Sequence, residues 1–194
     1  MKYGIKSVTM DDVARELGIS KKTLYQYVTD KDDLVGKFVQ NEIETRQKEI
    51  CECIRIGYNA IEELFEISYL MSKIMKEQNP ATEYDLKKYY PAHFQTIINS
   101  RRTGIYEYIL LNLKKGKKEG LYREDLNEEI ISKLYLSRVE SIQLNDIYSV
   151  EEFTSNKIQN ELFKYHIRGI STEKGIMVLE KRIEGIEKKN GKKN

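Results

Sequence analysis

Proline occurs only twice in 194 residues, so almost nothing in the chain forbids long helices. Cysteine also occurs twice, as Cys51 and Cys53 in a C-x-C inside a predicted helix. Residues two apart point to different helix faces, which excludes an easy intrahelical disulfide, and there is no second cysteine pair to build a zinc site. We read both as small buried hydrophobes, with a redox-sensing pair as the alternative. The two histidines, His93 and His166, have no acidic partners at useful spacing and read as satisfied core or surface residues. The chain also lacks a Gly-rich phosphate loop, an H-E-x-x-H and a nucleophile elbow. These absences argue against an enzyme, and they imply no catalytic residues, no metal and no cofactor. No apolar run reaches the roughly 18 residues of a membrane helix, and the first residues lack the apolar core of a signal peptide, so we expect a cytoplasmic chain. A net charge of +2 is too small to mark the whole surface as a nucleic-acid binder, so any such activity must rest on a local patch. What the chain has in quantity is 33% charged and 40% hydrophobic residues, a mixture suited to amphipathic helices. No internal repeat or low-complexity linker is evident.

One stretch, TMDDVARELGISKKTLYQYV from Thr9 to Val28, reads as two short helices joined by a glycine turn. Thr9 is a good N-cap, and Asp12 follows at capping-box spacing. Val13 and Leu17, four apart, are expected to face inward, with Ala14 beside them for close crossing. Gly18 sits where a helix needs a left-handed residue after its end, Ile19 fills the corner, and Ser20 caps the next helix. At about 100° per residue, Leu24 and Val28 point inward. Lys21, Lys22, Tyr25 and Gln26 share the outward arc, with Thr23 at its flank. That arc offers two ammoniums and a phenol for phosphates, and a glutamine able to bond adenine in the major groove. Read blandly, it is only a helical corner with solvated lysines. Thr29 is expected to cap a third helix, whose first turn places Lys31 near exposed amides where a phosphate would sit.

The residues Thr9, Asp12, Val13, Ala14 and Gly18, then Ile19-Ser20-Lys21, Thr23-Leu24-Tyr25-x-Tyr27, Lys31 and Leu34 match, without a gap, the DNA-binding domain of the TetR family of transcriptional regulators. The segment GLYREDLNEEI, 120–130, also resembles a stretch of this family. Two positions depart from the family pattern: Lys22 replaces a common small residue, and Val28 replaces the usual aromatic. The resemblance implies an all-α fold, with a helix-turn-helix head (1–36) followed by a larger helical ligand-binding and dimerisation domain (37–187) and a basic disordered tail (188–194). The DNA-binding set is Thr9, Lys21, Lys22, Thr23, Tyr25, Gln26, Tyr27 and Lys31. It also implies a helix before the motif, of which Lys2-Tyr3-Gly4 reads as the last turn and C-cap. We expect most of that helix to be missing, through a shortened or misassigned start. Val13, Leu17 and Leu24 are then expected to lose an apolar partner, with DNA affinity impaired.

From Asp32 onward the pattern is helical nearly throughout. A long connecting helix runs from Val35 to Ile54 and weakens at Gly57, and the next is stopped by Asn79-Pro80. A short helix is expected from roughly Glu83 to Tyr90, then another from Ala92 to Lys118, closed by Gly120. Its Lys114, Lys115, Lys117 and Lys118 suit the negative end of the helix dipole better than a second DNA contact. Asn127 caps a further helix; after a loop near 146–150, one with Phe153 and Ile158 ends at Gly169, and Thr172 starts the last.

By resemblance, 128–147 and 151–167 form the face that pairs with a second copy, with Leu134, Arg138, Ile142, Ile158, Leu162 and Tyr165 at the homodimer interface. Two reading heads about 34–36 Å apart would then read the half-sites of a palindrome. The family also implies a small-molecule effector in the larger domain, with Tyr69, Tyr89, Tyr90, Phe94, Arg101 and Tyr106 as pocket candidates. Arg101-Arg102 otherwise read as a solvated pair, and the rings as ordinary core. The expected function is a ligand-responsive repressor on operator DNA; the alternative is a helical dimeric ligand-binding or interaction module that has lost DNA binding with its first helix.

Overall fold

The computed structural model describes residues 4–54, 57–144 and 156–190. The expectations for Lys2, Tyr3, the loop at 146–150, Phe153, the side chain of Ile142 and the end of the basic tail lie outside the described residues. Among the described residues the fold is all-helical. The elements are α1 (Met10–Glu16), α2 (Lys21–Leu24), α3 (Lys31–Cys53), α4 (Ala60–Glu77), α5 (Pro80–Tyr89), α6 (Pro91–Lys118), α7 (Glu128–Leu144), α8 (Asn156–Ile170) and α9 (Glu173–Asn190). A helix-turn-helix head is followed by a larger helical part, as the sequence pattern predicts.

Several boundaries differ from that pattern, each for a local reason. α5 begins at Pro80 rather than near Glu83, because Asn79 Oδ1 accepts from the Ala81 and Thr82 amides and Pro80 occupies the first turn. α8 runs through Gly169 to Ile170, since Gly169 is helical and it is Thr172 that caps α9. α3 is capped by Asp30, whose Oδ1 accepts from Asp33 N at 2.9 Å; Thr29 instead donates its amide to Asp33. Gly18 and Gly120 take the left-handed conformation expected of residues closing a helix (φ +67° and +69°).

Two compact units are present: residues 1–49 with 77–102, and residues 50–76 with 103–194. The first has two small cores. Met10, Ala14, Leu24 and Val28 form one, with Val13, Ile19 and Leu34 against it. Val28 thus fills with an aliphatic side chain the place where the resembling pattern has an aromatic. Leu17 is 61% exposed, contrary to the inward position its spacing predicts. It is the C-cap residue, so the helical spacing that relates it to Val13 has run out there. Val13 and Leu24 keep apolar partners within this core. Ile5, Val35, Val39 and Leu86 make the other core, with Tyr90 and Phe94 packed on it.

The second unit is built around one larger core from Ala60 to Leu179. Its buried polar groups are arranged in a chain. Tyr122 Oη donates to Asn112 Oδ1 at 3.0 Å, and Asn112 Nδ2 donates to the Ala60 carbonyl at 2.8 Å. Gly116 is required where it stands, because a Cβ there would lie 1.9 Å from the Tyr122 ring. Lys115 bonds the Tyr58 carbonyl and Glu63, and Lys117 bonds the Glu124 and Leu126 carbonyls and Glu128. These lysines therefore anchor neighbouring loops and side chains, rather than only complementing the helix dipole. Cys51 is exposed and Cys53 half-buried, so Cys51 is not the small buried hydrophobe expected of it.

Candidate nucleic-acid interface

The head is organised by capping, which is local and encoded in the sequence. Asp12 N donates to Thr9 Oγ1 at 3.1 Å, and Thr9 N donates to Asp12 Oδ2 at 2.9 Å. Thr9 Oγ1 also donates to Asp12 Oδ2 at 2.6 Å. These bonds hold the Asp12 carboxyl below its usual range, first through the Thr9 hydroxyl and then through its amide. Thr9 therefore has both its hydroxyl proton and its amide committed inside the head, and a phosphate oxygen needs a donor. In this state its role is to cap α1.

Ser20 Oγ accepts from Thr23 N at 3.0 Å and lies 2.8 Å from Thr23 Oγ1, which starts α2 and leaves Thr23 half-buried. The α-ladder of α2 is short. Gln26 N and Tyr27 N bond the carbonyls three residues back, Thr23 and Leu24, so the last turn is tightened. Lys37 Nζ then donates to the Tyr27 carbonyl and to Asp33. The buried Leu24 and Val28 thus carry Lys21, Lys22, Tyr25, Gln26 and Tyr27 outward. Tyr25 is 44% exposed and Tyr27 71%. Neither ring belongs to the small core of Met10, Ala14, Leu24 and Val28.

Not every cation of the set is uncommitted. Lys21 Nζ sits 3.0 Å from Asp11 Oδ1, and this hydrogen-bonded pairing raises its pKa. Lys31 Nζ donates to the Lys6 carbonyl at 3.1 Å, so it braces the chain entering the head. Lys22 stands exposed on α2. The structure brings the expected set together in one unit, with Lys22, Tyr25, Gln26 and Tyr27 facing outward and Thr9, Thr23 and Lys31 partly committed to the fold. Sequence reasoning missed Lys37, Asp30 and Asp11. The first two shape the turn after α2, and Asp11 competes for Lys21. Asp11 and Lys21 are ten residues apart, beyond any helical spacing rule, so only the folded corner reveals the pair.

The remaining candidates divide between the units. Tyr89, Tyr90, Phe94 and Arg101 belong to the first, and Tyr69 and Tyr106 to the second. Tyr90 and Phe94 are core packing, Tyr69 is 65% exposed, and Tyr89 accepts from Lys6. Arg101 is half-buried, not a solvated residue, and burial lowers its pKa. His93 is satisfied as expected, with Nε2 3.2 Å from Asp32 Oδ2. His166 is not: its Nε2 is buried without a partner, and burial, with the nearby Arg138 charge, lowers its pKa to about 3. On the expected pairing face, Leu134 is 61% and Tyr165 79% exposed, while Ile158 and Leu162 are half-buried. Arg138 Nη1 donates to the Leu162 carbonyl at 3.2 Å.

No helix among the described residues is long and apolar enough to cross a membrane. Residues 1–37 match the family described as bacterial regulatory proteins, tetR family. The chain is 24% identical over 170 residues to an uncharacterized HTH-type transcriptional regulator, YvaF, of Bacillus subtilis (strain 168), covering 86% of this chain and 87% of that one. Its fold is that of a transcriptional regulator from Cytophaga hutchinsonii, with a TM-score of 0.73, 16% identity, and 88% and 91% of the two chains covered. It is also similar in fold to the TetR family protein CprB from Streptomyces coelicolor, solved in complex with its operator sequence, with a TM-score of 0.57, 16% identity, and 87% and 80% covered. Both the relative and the matched family are described as regulators. The capped head, its ungapped motif, the all-helical body and these matches make the chain similar to the TetR-family transcriptional regulators, in sequence over residues 1–37 and in fold over most of its length.

Proposed function

We propose that this chain is a ligand-responsive repressor that binds a palindromic operator as a homodimer. In this reading 1–36 is the reading head and 37–187 the regulatory and pairing part. The observation that carries it is the exposed row Lys22, Tyr25, Gln26 and Tyr27, held over the buried Leu24 and Val28 at the corner of a capped helix-turn-helix. Such a corner offers base-edge donors at the start of its second helix and phosphate donors at its flank. Lys22, where the resembling pattern has a small residue, adds a cation at that helix start. Exposed Ile130, Leu134 and Tyr165 on α7 and α8 supply the apolar face for pairing. The solved operator complex of CprB supports the DNA partner by analogy. A helical module without DNA binding is the less favoured alternative.

The test is selection of bound fragments from genomic DNA, followed by fluorescence anisotropy on the enriched duplex across a salt series. We expect a two-fold symmetric site and steeply falling affinity with salt. Lys22→Ala should lower the salt slope by about one, and Gln26→Ala should relax sequence preference at one position per half-site, by a discrimination of about 1–3 kcal/mol. Retention of no duplex, or wild-type behaviour in both variants, overturns the assignment.

A further inference from the structure

Resting on the reading of the second unit as an effector domain, we propose that the effector is an apolar small molecule bearing a carboxylate, which Arg138 holds together with His166 and Tyr108. The inference starts from hydrogen bonds that are missing. Arg138 Nε, His166 Nε2 and the Tyr108 hydroxyl are all buried, and none has a partner within the protein. Buried donors and acceptors are nearly always satisfied, by protein, by water or by a ligand. The three groups come from three helices, and two of them, Arg138 and His166, meet at one ring. The Tyr135 ring lies 4.7 Å from the Arg138 guanidinium carbon and 4.7 Å from the His166 ring centre, edge-on. Tyr108 lies within electrostatic range of the Tyr135 phenol and packs on the same core.

The charge balance sets the class of ligand. Among the described residues Arg138 forms no ion pair; its Nη1 donates to the Leu162 carbonyl, which is neutral. That bond uses one end of the guanidinium and Tyr135 is a second hydrogen-bonding neighbour, but Nε, on the edge suited to a side-on carboxylate, is left unsatisfied. His166 is held neutral, first by burial and then by Arg138, so its Nε2 can donate or accept one bond without adding charge. Burial likewise keeps the Tyr108 phenol protonated and able to donate. The acidic group nearest in effect is Glu63, which acts on Tyr108, but Lys115 pairs with it at 2.5 Å. The unmatched charge at this place is therefore positive. The core that Tyr108 and Tyr135 pack against is apolar, and in it Phe65 and Phe163 meet edge-to-face at 5.3 Å. A monoanion with a hydrocarbon body satisfies both features, whereas a phosphate or a polar sugar acid satisfies only the first.

The test uses the full-length chain and three probes of equal chain length: decanoate, decanol and methyl decanoate. We expect decanoate to raise the melting temperature by about 3–6 °C at tenfold its Kd, with little effect from the alcohol or the ester. Arg138→Gln should abolish the shift, and His166→Phe and Tyr108→Phe should each weaken decanoate binding by about threefold to thirtyfold in calorimetry. Equal stabilisation by all three probes, or none by decanoate, overturns the proposal without need of a variant. So does a decanoate shift that survives in Arg138→Gln. An Arg138→Gln chain that changes only its oligomeric state in sedimentation would mean that a second copy, not a ligand, satisfies the guanidinium. The melting shift does not involve DNA. A chain that binds decanoate through Arg138 but retains no duplex refutes the regulator reading alone; one that retains duplex but ignores decanoate refutes the carboxylate alone.

Discussion

The Lys6 ammonium donates to the Tyr89 hydroxyl at 2.8 Å and lies 4.4 Å from the centre of its ring. This bond lowers the Tyr89 pKa, and Lys6 N meanwhile donates to Asp85 Oδ2 at 2.7 Å. Tyr89 thus ties the chain entering the head to α5 within one unit. The tie depends on Gly4, whose φ is +71° and where a Cβ would lie 2.6 Å from Asp85 Oδ2. Gly4→Ala is expected to destabilise the chain by about 1–2 kcal/mol, from the left-handed backbone and the lost amide bond together. Urea unfolding checks it; an unchanged midpoint would mean that the strap carries no stability.

Asp11 pairs with Lys21 within the head, and in the proposed function it competes with DNA for that ammonium. Breaking this exposed pair should cost the fold little, about 0.2–1 kcal/mol at most. It frees a cation for phosphate. Asp11→Asn is therefore expected to tighten duplex binding by about twofold to fivefold at low salt and to steepen the salt dependence. Anisotropy titrations at two salt concentrations measure both; weaker binding by the variant would count against Lys21 as a phosphate contact.

His166 gives the second unit a defined pH response. Its pKa falls from 6.5 to about 3 on folding, so the native state binds fewer protons than the unfolded chain between those values. Stability from this group is complete above about pH 6.5 and is lost as the pH falls toward 3. The loss reaches roughly 3 kcal/mol at pH 4 as an upper figure. His166→Phe should flatten the fall in melting temperature between pH 7 and pH 4. Parallel curves for the two proteins would show that the ring is not held neutral in the native state.

The head was largely legible in the sequence because its determinants are local. Thr9 with Asp12, Gly18 and Ser20 act within four residues of themselves, and each stands where the capping rules place it. Leu17 misled because a periodicity argument assumes that the helix continues, and here it stops. Thr29 misled because Asp30, one residue later, offers a stronger acceptor. The aromatic residues misled more deeply. A ring's identity does not say whether it packs, as Tyr90 does, or stands in solvent, as Tyr69 does. That depends on which helices cross it. The unsatisfied groups of Tyr108, Arg138 and His166 were illegible for the same reason, since these residues are far apart in sequence and each looks ordinary alone.

The core of the second unit draws on residues from Ala60 to Leu179, and the Ala60–Asn112–Tyr122 chain already spans about half of that interval. The first unit is complete in sequence at Arg102. On the ribosome these two facts set an order of birth. The first unit draws on nothing after Arg102, while the other still waits for α9, whose Leu179 is fully buried in its core. Until then the apolar residues that α4 and α6 give to this core lack the Leu179 side of it, which makes the late-emerging α9 the helix that shields them from aggregation.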